Sequence, residues 1–421
     1  MFVRRKALHY LRSRLAPDPP SLRIVFWDGQ SYDFVDAPRA TIRISSPTIL
    51  KALVRGNFEE LARAYVAGEI EAEGPISEVV DAGAGLAESL ETLSFLARAR
   101  GLARFIPFPR SRRKEAADAA YHYNLSNDFY RLWLDDRMIY SCAYFRSGRE
   151  DIHTAQLQKL DHVCCKLMLR PGDSFLDVGC GWGGLLRWAA RCYGARALGV
   201  TVSDRQFAYA REQFKAIGAG AAIEVRLDDF RDLKGMQFDK IASVGMYEHV
   251  GERNLSDYFR TVSKLLRPGG VFLNHGVVAG ASVGRSSGPA GGGFIEKYVF
   301  PGGSISPLSR LMAEIPSAGL EIIDVEDLRP HYARTLRLWS QRLEERRDEA
   351  TRLIGPERYR IWRAYLAGMA YAFERGWLSI AQILACKPLE GHSVSRPWTR
   401  EYQYDLNPAP PMSGDISTHN D

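Results

Sequence analysis

The sequence lacks three features that would each assign it to a class of protein. It contains no apolar run close to the ~18 residues of a membrane-spanning helix, and no apolar signal segment, because His9 and Arg12 interrupt its first residues. Its six cysteines show no CxxC or cysteine–histidine metal spacing, and two of them, Cys164 and Cys165, are neighbours, which ordinary disulfides rarely use. We therefore expect a cytoplasmic protein with reduced thiols and no zinc site.

Charge is spread unevenly along the chain. The 421 residues, 46% hydrophobic and 25% charged, have the composition of a globular protein of two or three domains, and their net charge is +6. Residues 1–114 hold 18 lysines and arginines against 13 acidic residues, so nearly all of the excess lies in the first quarter. We expect an anionic partner at that end, but not a nucleic acid, because no recognition motif accompanies the charge.

Two segments carry most of the basic residues in this quarter. Residues 2–15 contain five basic residues and no acid at the spacing of an amphipathic helix, which either lies on a membrane surface or packs against the next domain. Residues 98–114 contain seven basic residues and no acid, typical of a segment attracted to anionic lipid. Alternating apolar residues and turn signals between them predict strands and helices. We predict a small basic α+β domain over residues 1–97 and a basic linker over residues 98–120.

The strongest motif lies at residues 174–184, which read SFLDVGCGWGG. Apolar residues around Asp177 predict a buried strand, and the glycines after it predict a turn into a helix. Such a turn presents backbone N–H groups and a positive dipole end while letting a ligand approach the main chain. The GxGxGG form resembles the S-adenosylmethionine loop of class I methyltransferases rather than a dinucleotide fingerprint. We predict a nucleotide pocket, with a ligand-free tight turn as the structural alternative.

Strand and helix patterns alternate through the rest of the chain. Predicted strands cover residues 174–179, 197–202, 222–227, 238–244, 271–276, 320–325 and 378–385, with a long helical insertion at 332–376. This order predicts a doubly wound α/β sheet, which binds ligands beyond the carboxyl ends of its strands. Glu248 follows the fourth strand and His275 ends the fifth. If those strands are neighbours, about 4.8 Å apart, the two side chains converge over the pocket.

A wider set of motifs identifies a family. Together with VGCGWGG, the aromatic segment at residues 121–145 and the segments GVTVSDRQ, LDDFRDL, GMYEHVG, FIEKYVFPGG and HYARTLRLW resemble the cyclopropane-fatty-acyl-phospholipid synthase and mycolic acid cyclopropane synthase family. The resemblance covers roughly residues 115–390. It implies a Rossmann-like class I methyltransferase sheet with an antiparallel last strand. We assign this catalytic domain to residues 121–395, followed by a flexible tail at 396–421.

The resemblance also implies a reaction. Members of the family transfer the methyl group of S-adenosylmethionine to the cis double bond of an unsaturated phospholipid acyl chain, and a bound bicarbonate ion assists the deprotonation that closes a cyclopropane ring. The residues expected to hold this ion are Cys142, through nearby backbone, Glu248, His275 and the hydroxyl of Tyr332. The aromatic residues expected to stabilise the cationic carbon by cation–π attraction are Tyr140, Tyr144, Phe145 and Tyr332.

For the cofactor, the resemblance implies a further set of contacts. The residues expected at its methionine moiety are Tyr140, Ser141, Asp177, Gly179, Gly181 and Gly183. Those expected at the ribose and adenine are Thr201, Gln206, Asp228 and Asp229. The second strand ends without the acid that commonly binds ribose hydroxyls, which leaves that role to Gln206 or Asp204.

Several alternatives stay open from the sequence. The same methyl transfer can end in a methylene or methyl-branched chain, and a lipid-binding protein with a vestigial pocket is the non-enzymatic alternative. Met369 stands where the family often has a cysteine, and the glycine-rich loop at residues 288–293 is unusual. A nucleophilic Cys142 is disfavoured because no catalytic histidine–asparagine pair accompanies it. We expect a peripheral enzyme at the inner face of an anionic membrane, and a homodimer would suit the basic N-terminal domain.

Overall fold

The structure is a computed structural model that describes residues 2–14, 19–91, 125–218, 222–280, 292–300, 303–389 and 397–404. Its N-terminal part contains the elements α1 (Phe2–Arg14), β1 (Leu22–Val25), β2 (Ser31–Asp33), β3 (Ala40–Ile44), α2 (Pro47–Arg55), α3 (Phe58–Ala67), β4 (Ile70–Glu73) and α4 (Ile76–Glu91). The four strands form one sheet in the order β2-β1-β3-β4. These elements match the predicted α+β unit, while the predicted linker at residues 98–120 lies outside the described residues.

Helix α1 packs its apolar face inside this unit. Ala7 and Leu11 are buried in the same apolar cluster as Leu22 and Ile24 of β1, and the helix lies against α2 and α4. The side chain of Arg4 also turns inward to pair with Asp28 at 2.6 Å. Of the two alternatives that the sequence leaves for this helix, packing against the domain is therefore the one observed.

The larger part of the chain is built on a seven-stranded sheet. Its elements are α5 (Asn127–Arg131), α6 (Ile152–Lys166), β5 (Ser174–Val178), α7 (Gly184–Tyr193), β6 (Arg196–Thr201), α8 (Asp204–Ala216), β7 (Ile223–Leu227), β8 (Phe238–Val244), α9 (Leu255–Leu265), β9 (Leu266–Ala279), α10 (Gly292–Tyr298), α11 (Leu308–Ser317), β10 (Glu321–Asp327), α12 (Arg329–Glu345), α13 (Arg347–Ile354), α14 (Pro356–Glu374) and β11 (Leu378–Cys386). The strand order is β10-β11-β9-β8-β5-β6-β7.

This sheet confirms the predicted fold class. Strands β5 to β9 run parallel to one another, and β11 is antiparallel to both β9 and β10. The central strand β5 is buried from Phe175 to Val178, as a strand covered by helices on both faces must be. Strand β9 begins five residues before its predicted start, because pairing with β8 begins at Leu266 and resumes at Val271 after a shift in register.

The predicted helical insertion at residues 332–376 is three helices. Helices α12 and α14 pack along each other, and α14 also contacts α3 and α4 of the N-terminal unit. Arg363 fixes this contact, because its guanidinium donates to the carbonyls of Ala72 and Gly74 at 2.8 and 2.7 Å and to Glu344 at 2.7 Å. Among the described helices, none combines the length and the apolar character needed to cross a bilayer.

The first described residues of the predicted tail are packed against the catalytic part. The carbonyl of Gln403 lies 2.9 Å from His162 Nδ1 on α6, and Arg400 pairs with Asp324 on β10 at 2.6 Å. Gln403 itself is buried. The predicted tail at residues 396–421 therefore contains a segment, 397–404, that is part of the folded domain.

Candidate functional site

The glycine loop after β5 forms one wall of a cavity. The backbone of Gly181 has φ +55°, and nothing lies within 4 Å of the position that a Cβ would take there. Gly183, with φ +87°, is different, because a Cβ would lie 2.4 Å from the ring of Phe214 on α8. Gly181 therefore leaves open the space into which a ligand must fit, whereas Gly183 lets the first turn of α7 pack against α8.

The predicted cofactor residues meet at this cavity. Those that line it are Tyr140, Ser141, Asp177, Gly179, Gly181, Thr201, Gln206, Asp228 and Asp229. Gly183 is the exception, since it lies beneath the loop and its absent side chain makes room for Phe214. The cavity lies beyond the carboxyl ends of β5, β6, β7 and β8, where the strand order of a doubly wound sheet places a nucleotide.

The methionine end of the cavity carries two buried groups of opposite charge. Asp177, at the end of β5, is 3% exposed, and burial raises the pKa of its carboxyl to about 7. Lys159, on α6, is also 3% exposed and donates from Nζ to Ser141 Oγ at 2.9 Å. Burial lowers the pKa of Lys159 to about 8. Sequence reasoning missed Lys159, although a lysine among the apolar residues of AQLQKLDHVCC is the available signal.

At the ribose end, the helix cap of α8 orients an amide. Ser203 caps the helix by accepting from the backbone N–H of Gln206, and Thr201 Oγ1 donates to Gln206 Oε1 at 2.8 Å. The amide oxygen is therefore used, and the NH₂ group remains for a ligand. Asp204 is exposed and does not line the cavity, so Gln206 is the better candidate for the ribose hydroxyls.

These groups fit S-adenosylmethionine. The loop at Gly181 permits close approach of a ligand to the backbone, Asp177 offers an anion to an amino group, and Gln206 offers donors at the level of a ribose. Asp229 accepts hydrogen bonds from the guanidinium of Arg231 at 2.8 and 2.5 Å and from its backbone N–H at 2.9 Å, which fixes the wall beyond β7.

Glu248 lies on a short 3-10 turn, Tyr247–His249, just beyond β8. Its Oε1 accepts from the backbone N–H of Val277 on β9 at 2.7 Å, and its Oε2 is buried with no hydrogen-bond partner among the described residues. Burial raises the pKa of the Glu248 carboxyl to about 7. Strands β8 and β9 are parallel neighbours with Val244 opposite His275, which was the premise of the predicted convergence, but neither Glu248 nor His275 lines the cofactor cavity over which they were expected to meet.

His275 is held as a neutral ring. Its Nδ1 lies 3.0 Å from the amide nitrogen of Gln382, which donates to it, so the ring carries its proton on Nε2. Burial lowers the pKa of His275 to about 3, and Nε2 is buried without a partner in the described part of the chain. Glu248 and His275 thus present an acceptor and a donor that no group in the described residues satisfies.

Cys142 and Tyr332 lie in the apolar cluster beside the cofactor cavity. Cys142 is fully buried with its Sγ 4.0 Å from the carbonyl of Leu328, which begins α12, and the next residue, Ala143, donates to Thr335 on that helix. Burial raises the pKa of the Cys142 thiol far above its usual range, which argues against a thiolate nucleophile. None of Cys142, Glu248, His275 and Tyr332 lines the cofactor cavity itself.

The same apolar cluster contains a group of aromatic rings that includes Tyr332 and reaches the cavity through Tyr140. The ring of Tyr140, which lines the cavity, lies 5.2 Å from that of Trp133 and 5.4 Å from that of Trp339, and its hydroxyl donates to Tyr365 at 3.4 Å. The other members that pack around it are Tyr130, Trp182, Tyr332, Trp362 and Phe373. The sequence analysis missed Trp362, Tyr365 and Phe373 as site residues, because at helical spacing they cannot be told from ordinary core residues.

The structure corrects one predicted aromatic residue and places one of the two unusual features of the sequence. Tyr144 is sandwiched between His162 and His331, at 4.2 and 4.7 Å, so it has no free face for a cation, contrary to the prediction. Met369 is buried in the aromatic cluster. The glycine-rich loop at residues 288–293 lies almost wholly outside the described residues.

Comparison with known proteins agrees with this geometry. A family model described as mycolic acid cyclopropane synthetase matches residues 110–383, and a model of a domain of unknown function matches residues 16–93. A probable fatty acid methyltransferase of Pseudomonas putida is 44% identical over 93% of this chain and 100% of its own length. The tuberculostearic acid methyltransferase UfaA1 of Mycobacterium tuberculosis is 33% identical over 86% of each chain.

A solved structure extends the comparison to the fold. The mycolic acid cyclopropane synthase CmaA1, complexed with SAH and CTAB, is 31% identical and superposes with a TM-score of 0.62. The match covers 65% of this chain and 98% of that chain.

Proposed function

The chain belongs to the mycolic acid cyclopropane synthetase family and is an S-adenosylmethionine-dependent methyltransferase, and on that premise we propose its reaction. We infer that it transfers a methyl group to the cis double bond of an unsaturated phospholipid acyl chain and closes the product to a cyclopropane. A bicarbonate ion assists by accepting the proton that is lost.

The observation that carries this proposal is that two residues expected to hold the ion each bury a polar atom, Glu248 Oε2 and His275 Nε2, that has no partner among the described residues. Buried polar atoms without partners are costly, and functional sites are where proteins retain them. Bicarbonate matches both atoms, since its O–H donates to a carboxylate and its other oxygens accept from an imidazole N–H. Cys142 and Tyr332 belong to the same apolar cluster, and Cys142 Sγ lies 4.0 Å from the carbonyl of Leu328, one helical turn before Tyr332.

When bound, S-adenosylmethionine supplies an electrophilic methyl group. The alkene donates its π pair to the methyl carbon, the methyl–sulfur bond breaks with its pair going to sulfur, and cationic character develops on the second alkene carbon. The aromatic cluster around Tyr140 excludes water from this carbon and stabilises it by cation–π attraction. Glu248 and His275 hold the ion that takes a proton from the added methyl group, and the released C–H pair closes the ring.

A second outcome of the same methyl transfer has its own support. The relatives named fatty acid methyltransferase and tuberculostearic acid methyltransferase carry no cyclopropane in their names. If a hydride first shifts from the carbon that bears the new methyl group to the neighbouring cationic carbon, loss of a proton from that methyl group gives a methylene-substituted chain instead of a ring. A non-catalytic lipid-binding protein is less well supported, since the buried pair of Glu248 and His275 would then have no role.

The product distinguishes these outcomes. We expect acyl esters extracted from cells that express the protein to show the high-field ring methylene signals of a cyclopropane in proton NMR. NMR is needed because a cyclopropane and an exocyclic methylene are isomers that mass alone does not separate. Cells expressing the Glu248→Gln variant are the matched control. Signals of an exocyclic =CH₂ would move the protein to the second outcome, and an unchanged lipid profile would contradict methyl transfer to lipid.

We also propose that the protein meets its substrate at an anionic membrane surface, through the basic N-terminal region. The apolar face of α1 is buried, so the contact is electrostatic and uses the exposed side chains of Arg5, Lys6 and Arg12. Replacing these three with glutamine should weaken binding to anionic vesicles, by at most about 1 kcal/mol for each, and salt should weaken wild-type binding. Sedimentation with anionic and neutral vesicles measures both effects.

A matched control comes from α8. Replacing its exposed Arg205, Arg211 and Lys215 with glutamine changes the net charge equally, on another surface, and should leave vesicle binding nearly unchanged. Equal losses in the two triple variants would mean that only net charge matters. Binding that neither salt nor lipid charge alters would refute an electrostatic contact.

A further inference from the structure

Lys159 is a charged group in the cavity wall whose role the proposed reaction leaves open. It lies on α6, 3% exposed, with its Nζ donating to the uncharged hydroxyl of Ser141. Within the described ranges, no carboxylate oxygen comes within 4.0 Å of this nitrogen. Its pKa of about 8 leaves it largely protonated at pH 7. The fold therefore buries an ammonium group without an ion-pair partner.

The nearest acids do not neutralise it by direct contact. Asp135 raises the pKa of Lys159 from a distance, and its own carboxylate accepts from the backbone of Ile139 at 2.8 Å and of Arg137 at 3.3 Å. Asp177 also acts only through space, and it lines the cavity. Burying an unpaired ammonium costs free energy unless an anion compensates for it. An anion that enters the cavity would supply that compensation.

The position of Lys159 indicates which part of the cofactor this anion is. Asp177 lies at the carboxyl end of β5, and Lys159 and Ser141 line the cavity near it, whereas Thr201 ends β6 and Gln206 follows that strand. Asp228 follows β7, which is two strands from β5. Because neighbouring strands are about 4.8 Å apart, Asp228 lies at the other end of the cavity from Asp177. With Gln206 at the ribose, the opposite end of the cavity receives the amino-acid end of the ligand. That end is a zwitterion, and the cavity offers one group of each sign.

We infer that Lys159 binds the carboxylate of the methionine moiety of S-adenosylmethionine, while Asp177 faces its amino group. The inference rests on the proposed function, because it requires that cofactor. Ser141, which the sequence analysis assigned to the methionine end, then has a second task, since its hydroxyl holds the ammonium of Lys159 in place.

The test compares two ligands that differ only in the carboxylate. S-adenosylhomocysteine and its decarboxylated form, which keeps the adenosine, the sulfur and the amino group, are titrated calorimetrically into the full-length protein. The wild type should prefer S-adenosylhomocysteine by about 10- to 100-fold, the range of a charge-assisted hydrogen bond. Lys159→Met should lose that preference by weakening only the carboxylate ligand, and Lys159→Arg should retain part of it.

Lys166 provides the matched control. It is fully buried seven residues later on the same helix, but it pairs with Glu326 at 2.5 Å and does not line the cavity. Lys166→Met should leave the preference for the carboxylate unchanged. Ser141→Ala should weaken S-adenosylhomocysteine binding less than Lys159→Met does, because the ammonium remains.

Each other result overturns a different statement. If Lys159→Met weakens both ligands equally, Lys159 is a structural residue and the inference is wrong. If Ser141→Ala matches Lys159→Met, the carboxylate contact belongs to Ser141. If the wild type binds both forms equally, the inference is wrong whatever the variants show. The inference can therefore be tested even if a Lys159 variant does not fold. A wild type that binds neither form overturns the cofactor assignment itself.

Discussion

Replacing Glu248 with glutamine is expected to lower turnover by about 10²- to 10⁴-fold, the range for losing a group that governs a proton transfer. The backbone N–H of Val277 donates to Glu248 Oε1, so the amide oxygen of glutamine must occupy that position. The amide NH₂ then takes the place of Oε2 and presents a donor where the proposed ion requires an acceptor. Cofactor affinity should stay nearly unchanged, because Glu248 does not line the cofactor cavity. Steady-state kinetics and calorimetric titration with S-adenosylhomocysteine separate the two effects.

The control for this variant is Glu252→Gln, which makes the same chemical change at an exposed position four residues later. It should leave both turnover and cofactor affinity unchanged. Removing dissolved bicarbonate should slow the wild type and have little further effect on Glu248→Gln. If Glu248→Gln retains activity within a few-fold of wild type, Glu248 does not organise the site. The proposal that a bound anion accepts the proton would then be wrong as well.

Replacing Gly181 with valine is expected to abolish detectable binding of S-adenosylmethionine while the protein stays folded. Apart from its two chain neighbours, no residue has an atom within 4 Å of the new Cβ, so the side chain extends into the space in which the ligand approaches the loop. The positive φ of +55° adds strain of about 1–2 kcal/mol, which a folded domain of this size can absorb. Calorimetric titration measures the affinity, and circular dichroism checks the fold.

Gly172 offers a control for the strain alone. Its φ is +86°, its Cβ position is equally open, and it is exposed outside the cavity. Gly172→Val should therefore be destabilised to a similar extent while its cofactor affinity remains that of the wild type. Unchanged affinity in a folded Gly181→Val variant would contradict the assignment of this loop to the cofactor.

The cofactor half of the site was predictable because its residues lie on consecutive elements. Each of β5, β6 and β7 is followed directly by residues that contact the cavity, and parallel strands bring their carboxyl ends to one edge. This rule predicts where the cavity lies and includes Asp177 at the end of β5. Thr201, Gln206 and Asp228 are expectations from the family resemblance, and each of them lines the cavity.

The acyl-chain half was much less predictable. Trp339, Trp362 and Tyr365 reach the site from α12 and α14, whose spacing in sequence says only that one face is apolar. Tyr144 was wrongly expected to offer a free face, since nothing local reveals that His162 and His331 come to lie on its two sides. Lys159 was missed for a related reason, because burial of a lysine depends on which elements cover its helix.

The sequence by itself determined the doubly wound sheet, its strands, the glycine loop, and the positions of Glu248 just beyond one strand and of His275 on the strand beside it, because these follow from local periodicity and from the geometry of parallel strands. Only the tertiary structure decided which atoms are buried without partners. The bond from Val277 occupies Glu248 Oε1 and leaves Oε2 as the oxygen without a partner among the described residues, and the bond from Gln382, 107 residues away, occupies His275 Nδ1 and leaves the proton on Nε2. Packing also decided that α1 buries its apolar face and that Arg363 joins α14 to the N-terminal unit. Such contacts join residues far apart in the chain, and their energies depend on burial and distance, which no local pattern encodes.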